Sequence, residues 1–405
     1  MTFHIIEGGV TAAKGFQASG IHCGIRKNRS KADLALIYSD VPCAAAAVYT
    51  QNLVKGAPIA VTKRNIADGM ARAVICNSGN ANTCNADGEE KAQKMCDLIA
   101  AELHIDASDV IVASTGVIGQ VLPIEPIANS VKTLAEALSA TGSNDAAKAI
   151  MTTDTVEKEY ALEVELDGKT VTIGGITKGS GMIHPNMATM LSVTTTDAKI
   201  SHDLLQEMVS EIVSDSFNMI SVDRDTSTND TYLVLANGES GVEIKAGTNG
   251  YVKFKEALSF VATDLAKQMA ADGEGATRLM EVRAVHCKNK EEAKIFSKSV
   301  VTSNLVKAMV FGKDANWGRV LCALGYSGAD FDPDVIDLIL EAEDEQIVLV
   351  KDGVPTDYSE DEATILLGKD AVTFICDMKQ GDASATAWGC DLTYDYVKIN
   401  GDYRS

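Results

Sequence analysis

The stretch at residues 177–191, TKGSGMIHPNMATML, sets Thr189 behind a glycine-rich turn, Pro185 and the small Ala188. From there Thr189, Leu191, Val193 and Thr195 alternate with Met190, Ser192, Thr194 and Thr196, a period of two rich in β-branched side chains that reads as a strand. A threonine hydroxyl is a weak nucleophile and needs a base within hydrogen-bond reach. Cutting the chain between Ala188 and Thr189 would supply one, because a freed α-amine has a pKa of roughly 7.7–8.0 whereas a peptide nitrogen has no basicity. Hydroxyl and amine on one residue substitute for a Ser-His-Asp arrangement. By position and type alone, Thr189 is equally a strand-opening residue after a turn.

A second stretch, STGVIG at 114–119, follows the apolar run Val110, Ile111, Val112. Acyl transfer builds a negative oxygen, and the Thr115 hydroxyl beside the Gly116 N–H would make a small oxyanion hole; the same residues also suit a plain strand-to-loop turn. Lys178, eleven residues before Thr189, could meet a carboxylate in its glycine-flanked loop or be an ordinary solvated lysine. The GSGM run at 179–182 lacks the further glycines and the Lys-Ser/Thr of a phosphate loop, and GxSxG and HExxH patterns do not occur. At 221–231, SVDRDTSTNDT gathers three aspartates among hydroxyl residues without the glycine and distal glutamate of a calcium loop, so no metal is expected. This segment and the Asn-rich CNSGNANTCN at 76–85 remain unassigned by residue type.

Helices and strands alternate to position these loops. Ala92, Met95, Cys96, Ile99, Ala100 and Leu103 recur at helical spacing behind Asp87 and Glu90, a capping-box pattern, after a strand ending near Asn77. Further amphipathic helices are marked by Ile127, Val131, Leu134 and Leu138, by Leu205, Met208, Val209 and Ile212, and by Leu258, Val261, Leu265 and Met269. Leu162, Val164 and Leu166 alternate up to Asp167 and Gly168, and Val171 and Ile173 resume the pattern, which predicts a hairpin with a type I′ turn. Near the end, TYDYVKI reads as strand-like. The absence of a clean βαβ period points to stacked mixed sheets with helices outside, and no repeat or Pro-rich linker divides the chain.

With 405 residues and 46% hydrophobic content the chain has enough apolar surface for a large core. No window approaches the roughly 20 apolar residues that span a bilayer, and MTFHIIEGGV lacks a basic segment before an apolar run, so a cytoplasmic location without membrane contact is expected. Nine cysteines without a CxxC pair predict reduced, mostly buried thiols. The 36 basic against 57 acidic residues, a net charge of −21, disfavour a nucleic-acid partner and suit solubility.

The string KGSGMIHPNMATML, with STGVIG upstream and DANWGR at 314–319 and a YRS end downstream, closely resembles the ornithine acetyltransferase family of arginine biosynthesis. The resemblance implies a mixed α/β fold, a four-layer α/β/β/α sandwich, self-cleaved between Ala188 and Thr189 into chains 1–188 and 189–405 that share one core and assemble as two of each. It implies acetyl transfer from N-acetylornithine to glutamate through acetyl-Thr189, without a cofactor; some members also take acetyl-CoA as donor. Thr115 and Gly116 would stabilise the oxyanion. Thr152, Lys178, Thr189, Glu274, Asn400 and Ser405 match positions that bind the amino-acid substrate, and by type alone each of the others is an ordinary polar residue. The negative net charge favours a cationic amino acid, so a glutamate site must provide local cations. In the family pattern position 224 is often Gly and position 83 often Ala, so Arg224 and Thr83 depart from it. A self-cleaving aminopeptidase or amidase of the same architecture, and an uncleaved acidic binding protein, are the competing readings; glutamate dependence and a single band on a denaturing gel separate them.

Overall fold

The computed structural model describes residues 3–184 and 190–402. The first 271 positions give β1 (His4–Ile6), β2 (Phe16–Ile21), β3 (Leu34–Tyr49), α1 (Ala57–Asn65), β4 (Met70–Asn77), α2 (Gly88–Leu103), β5 (Val110–Ser114), α3 (Ile124–Glu136), α4 (Ser143–Ile150), β6 (Lys158–Leu166), β7 (Lys169–Lys178), β8 (Leu191–Thr196), α5 (His202–Asp215), β9 (Ile220–Ser221), β10 (Thr231–Ala236) and α6 (Asn249–Ala271). The anticipated helices all form. The hairpin turn has both Asp167 (φ 52°) and Gly168 (φ 76°) left-handed, as a type I′ turn requires.

Nine strands join in the order β1-β6-β7-β8-β10-β3-β4-β5, with β2 also paired to β3. The first half of β3 pairs with β2 and β4, its last six residues pair with β10, and the register shifts between Tyr38 and Cys43. Such an irregularity bends a strand, and here the sheet folds over on itself. Ile37, Val74 and Ile111 from one half share a buried cluster with Ile176, Val193 and Leu233 from the other, joined by Ala146 and Ile150 of α4. Outside the first half, Leu36, Ile75 and Val112 pack against Val61, Met95 and Ile127 of α1, α2 and α3. Outside the second, Leu162, Ile173 and Val234 pack against Met208, Leu258 and Leu265 of α5 and α6. The layers are therefore α/β/β/α.

A further sheet lies beyond that sandwich and was not anticipated. It is built from β11 (Leu279–Cys287), α7 (Lys290–Val301), α8 (Asn304–Gly312), α9 (Trp317–Gly325), β12 (Asp337–Ala342), β13 (Glu345–Lys351), β14 (Val354–Pro355), α10 (Glu360–Leu367), β15 (Ala371–Asp377) and β16 (Ala383–Cys390), followed by α11 (Tyr394–Asp402). Seven strands run β14-β13-β12-β15-β11-β16-β9. The core is continuous across both sheets, since Phe254 and Leu258 of α6 share a cluster with Val282 and Phe296.

Two local expectations are corrected. The segment read as strand-like TYDYVKI is the helix α11, because nothing pairs with it and its half-buried Tyr396 and Ile399 fall three apart on one face. Asp87 stands at the head of α2 but makes no capping hydrogen bond; its carboxylate instead pairs with Lys91 at 3.0 Å. β8 is buried at all six positions: Leu191 and Val193 face the core between the two halves of the sheet, and the alternate residues lie under the helical layer outside it.

Candidate active site

Six of the residues singled out by sequence, Thr115, Gly116, Thr152, Lys178, Glu274 and Asn400, line one cavity of 140 Å³ beside Met190 and Leu191. Ala188, Thr189 and Ser405 lie outside the described residues.

The 114–119 loop is laid on the Asn-rich 76–85 loop. Thr115 N–H donates to Asn77 O (3.0 Å), Val117 N–H to Gly79 O (3.4 Å) and the Ser114 hydroxyl to Asn77 Oδ1 (2.6 Å). Gly116 sits at φ 131°, and a Cβ there would collide with the backbone of Gly79 and Asn80, so no other residue fits. Thr115 and Gly116 both line the cavity. A hydroxyl and a backbone N–H at a cavity wall are the kind of donors that a developing oxyanion needs.

A third wall comes from the 221–231 segment, whose Ser227, Thr228, Asn229 and Asp230 line the cavity. Sequence reasoning noted this run for its composition alone; the available signal was a Thr-Asn-Asp cluster directly preceding a strand. The Asn229 carboxamide latches it in place. Its Nδ2 donates to Ala81 O (2.6 Å) and Ser114 O (3.0 Å), and its Oδ1 accepts from the hydroxyls of Thr83 (2.6 Å) and Thr228 (2.5 Å). Thr83 thus has a partner that an alanine would lack, and Arg224 adopts φ 70°, the region where glycine is easiest.

Lys178 is not a solvated lysine: it is 7% exposed, at the end of β7. Asp154 stands close to it and accepts Gly179 N–H (2.7 Å), Thr152 N–H (2.9 Å) and Lys158 Nζ (2.7 Å), while Lys158 also pairs with Asp272 (2.5 Å). Burial works to raise the Asp154 carboxyl, but Lys178, Lys158 and these hydrogen bonds prevail and hold it below the usual carboxylate range. Asp230 behaves oppositely. Its burial pushes the carboxyl well above the usual range, against the Ser227 hydroxyl and the Lys178 charge, and its Oδ2 has no partner among the described residues. Asp154 was also missed from sequence.

Glu274, also on the cavity wall, is 7% exposed; its N–H donates to Ser180 O (3.0 Å) and its Oε2 accepts Asn400 Nδ2 (2.6 Å). A Cβ on Gly181 would collide with the Glu274 carboxylate, which explains the small residue there. One cavity therefore joins the buried cation Lys178, the Glu274 carboxylate, which is able to meet an ammonium, and the Thr115–Gly116 turn. That set suits an amino acid with an acyl group attached. No helix among the described residues is long and apolar enough to cross a membrane, and all nine cysteines are free thiols, six of them buried.

The cavity opens beside a folded mixed sheet with helices outside, and the comparisons with known proteins assign the chain to a family of acyl-transferring enzymes. The ArgJ family model matches residues 17–405, and the chain belongs to that family. It is 49% identical over 398 residues to the arginine biosynthesis bifunctional protein ArgJ 1 of Clostridium acetobutylicum, covering 98% of this chain and 97% of the relative. It is 51% identical over 403 residues to the arginine biosynthesis bifunctional protein ArgJ of Symbiobacterium thermophilum, covering 99% of each. Among solved structures, the Bacillus halodurans arginine biosynthesis bifunctional protein argJ matches with 44% identity and a TM-score of 0.49, over 52% of this chain and 97% of that one.

Proposed function

We propose that this enzyme of arginine biosynthesis moves the acetyl group of N-acetylornithine to glutamate in two steps through Thr189. The observation that carries the reading is the convergence of Thr115, Gly116, Lys178 and Glu274 on one cavity beside β8, in a chain of the ArgJ family. After cleavage between Ala188 and Thr189, the new α-amine takes the proton of the Thr189 hydroxyl as the oxygen attacks the acetyl carbonyl. Thr115 and Gly116 donate to the oxyanion. The carbon–nitrogen bond breaks, ornithine leaves with the proton on its amine, and acetyl-Thr189 remains. The glutamate amine then attacks the ester carbonyl and Thr189 recovers its proton.

Lys178 would meet a substrate carboxylate and Glu274 the ornithine ammonium, with Thr152, Asn400 and Ser405 completing the contacts. No cofactor enters the cycle. Acetyl-CoA as an additional donor, assembly as two 1–188 and two 189–405 chains, and a cytoplasmic setting complete the proposal. Intact-mass measurement of the purified protein should give two fragments, the second starting at Thr189, and N-acetylornithine without glutamate should add one acetyl group to it. Thr189→Ala should remain one chain and be inactive. A single active wild-type chain would sink the reading, and release of acetate with no need for glutamate would turn it into a hydrolase.

A further inference from the structure

We propose that Asp223 and Tyr396 are positioning residues that hold the C-terminal helix α11 over the substrate cavity by tying it to the backbone at Met182 and Ile183, just before the scission point. The inference rests on the acetyl-transfer reading above. α11 has nine residues and none of them is buried. Isolated helices shorter than about 12–15 residues are marginal in water, so a few contacts decide where α11 sits. The Thr393 hydroxyl donates to Gly275 O (2.6 Å), Tyr394 meets the Phe311 ring edge to face at 5.6 Å, Asn400 reaches Glu274, and the Tyr396 hydroxyl donates to Asp223 Oδ2 at 3.3 Å.

The Asp223 carboxylate is the junction. It also accepts Met182 N–H (2.6 Å), Ile183 N–H (2.9 Å) and Asp225 N–H (3.2 Å). The two loops meet again where Val222 N–H donates to Ile183 O (2.7 Å) and the Thr226 hydroxyl to His184 O (2.8 Å). Burial first, then the neighbouring Asp223 charge, pushes the Tyr396 hydroxyl above its usual range, so it stays a donor. Tyr396 and Asn400 are four residues apart on one helical face. A rotation that frees Tyr396 therefore also withdraws Asn400 from Glu274. Ser180, in the loop that Asp223 grips, holds Glu274 from its other side through the Glu274 N–H. One carboxylate thus sets the loop, the helix and the substrate-facing glutamate in a common frame.

The test compares wild type, Tyr396→Phe, Asp223→Asn and the double variant by intact mass and by steady-state transfer from N-acetylornithine to glutamate. Tyr396→Phe should divide into two fragments like wild type, with KM for N-acetylornithine raised about three- to tenfold and kcat within about twofold. Asp223→Asn should raise KM similarly and also slow the division of the chain. Because both changes remove one shared hydrogen bond, KM of the double variant should not exceed that of Asp223→Asn. Wild-type KM in Tyr396→Phe, or effects that multiply, would overturn the proposal. If Asp223→Asn does not fold, Tyr396→Phe alone decides. A wild-type protein that neither divides nor transfers acetyl would instead defeat the reading on which the proposal rests.

Discussion

Thr115 lines the cavity while its N–H is tied to Asn77 O. If it donates to the oxyanion, Thr115→Ala should lower kcat roughly tenfold to a thousandfold with little change in KM, as measured by initial rates at varied N-acetylornithine. A raised KM at unchanged kcat would make Thr115 a ground-state contact. Thr115, Gly116, Lys178 and Glu274 were singled out through the family resemblance, since by type alone each reads as an ordinary polar or turn residue, and all four line one cavity. Asp154 and Asp230 were not legible, since their importance lies in burial beside Lys178, and burial of a lone aspartate in a polar run leaves no trace in spacing. Lys178 shows the same limit: nothing in a glycine-flanked lysine tells a solvated side chain from one that is 7% exposed.

At the level of elements, α11 is the place where local pattern and structure part. Tyr394, Tyr396 and Val397 favour a strand by type, but a strand needs a partner edge, and β16 instead pairs with β11 and β9. Longer helices and the Asp167–Gly168 hairpin were readable because periodicity and turn chemistry agree over many residues. Deleting residues 400–405 removes Asn400 from Glu274 and leaves the loop bonds around Met182 and Ile183 in place. Self-cleavage should then proceed while transfer collapses, with acetyl-Thr189 losing more acetate to water. The ratio of N-acetylglutamate to acetate formed by the processed, truncated enzyme measures this. An unchanged ratio at an unchanged rate would free the segment from any substrate role.

Across the whole molecule, the four-layer sandwich was expected from resemblance and the second sheet was not. No linker announces it, because α6 shares its core with both sheets and runs directly into the second. Strand order has a further effect. β8 and β10, both beyond residue 190, lie between β7 and β3, which precede it. Separating the two proposed fragments would strip hydrogen bonds from both edges of that pair and open the inner core. The processed fragments should therefore co-elute in native size exclusion and separate only in denaturant; separate elution under native conditions would contradict this.

That interleaving also orders events in the life of the molecule. A pair of strands inserted into the middle of a sheet is readily made while one continuous chain supplies its neighbours, and contacts between separate polypeptides would have to find the same register by collision. If the chain is cut between Ala188 and Thr189 as proposed, the cut is expected after folding, since halves separated earlier would have to find their common sheet by collision.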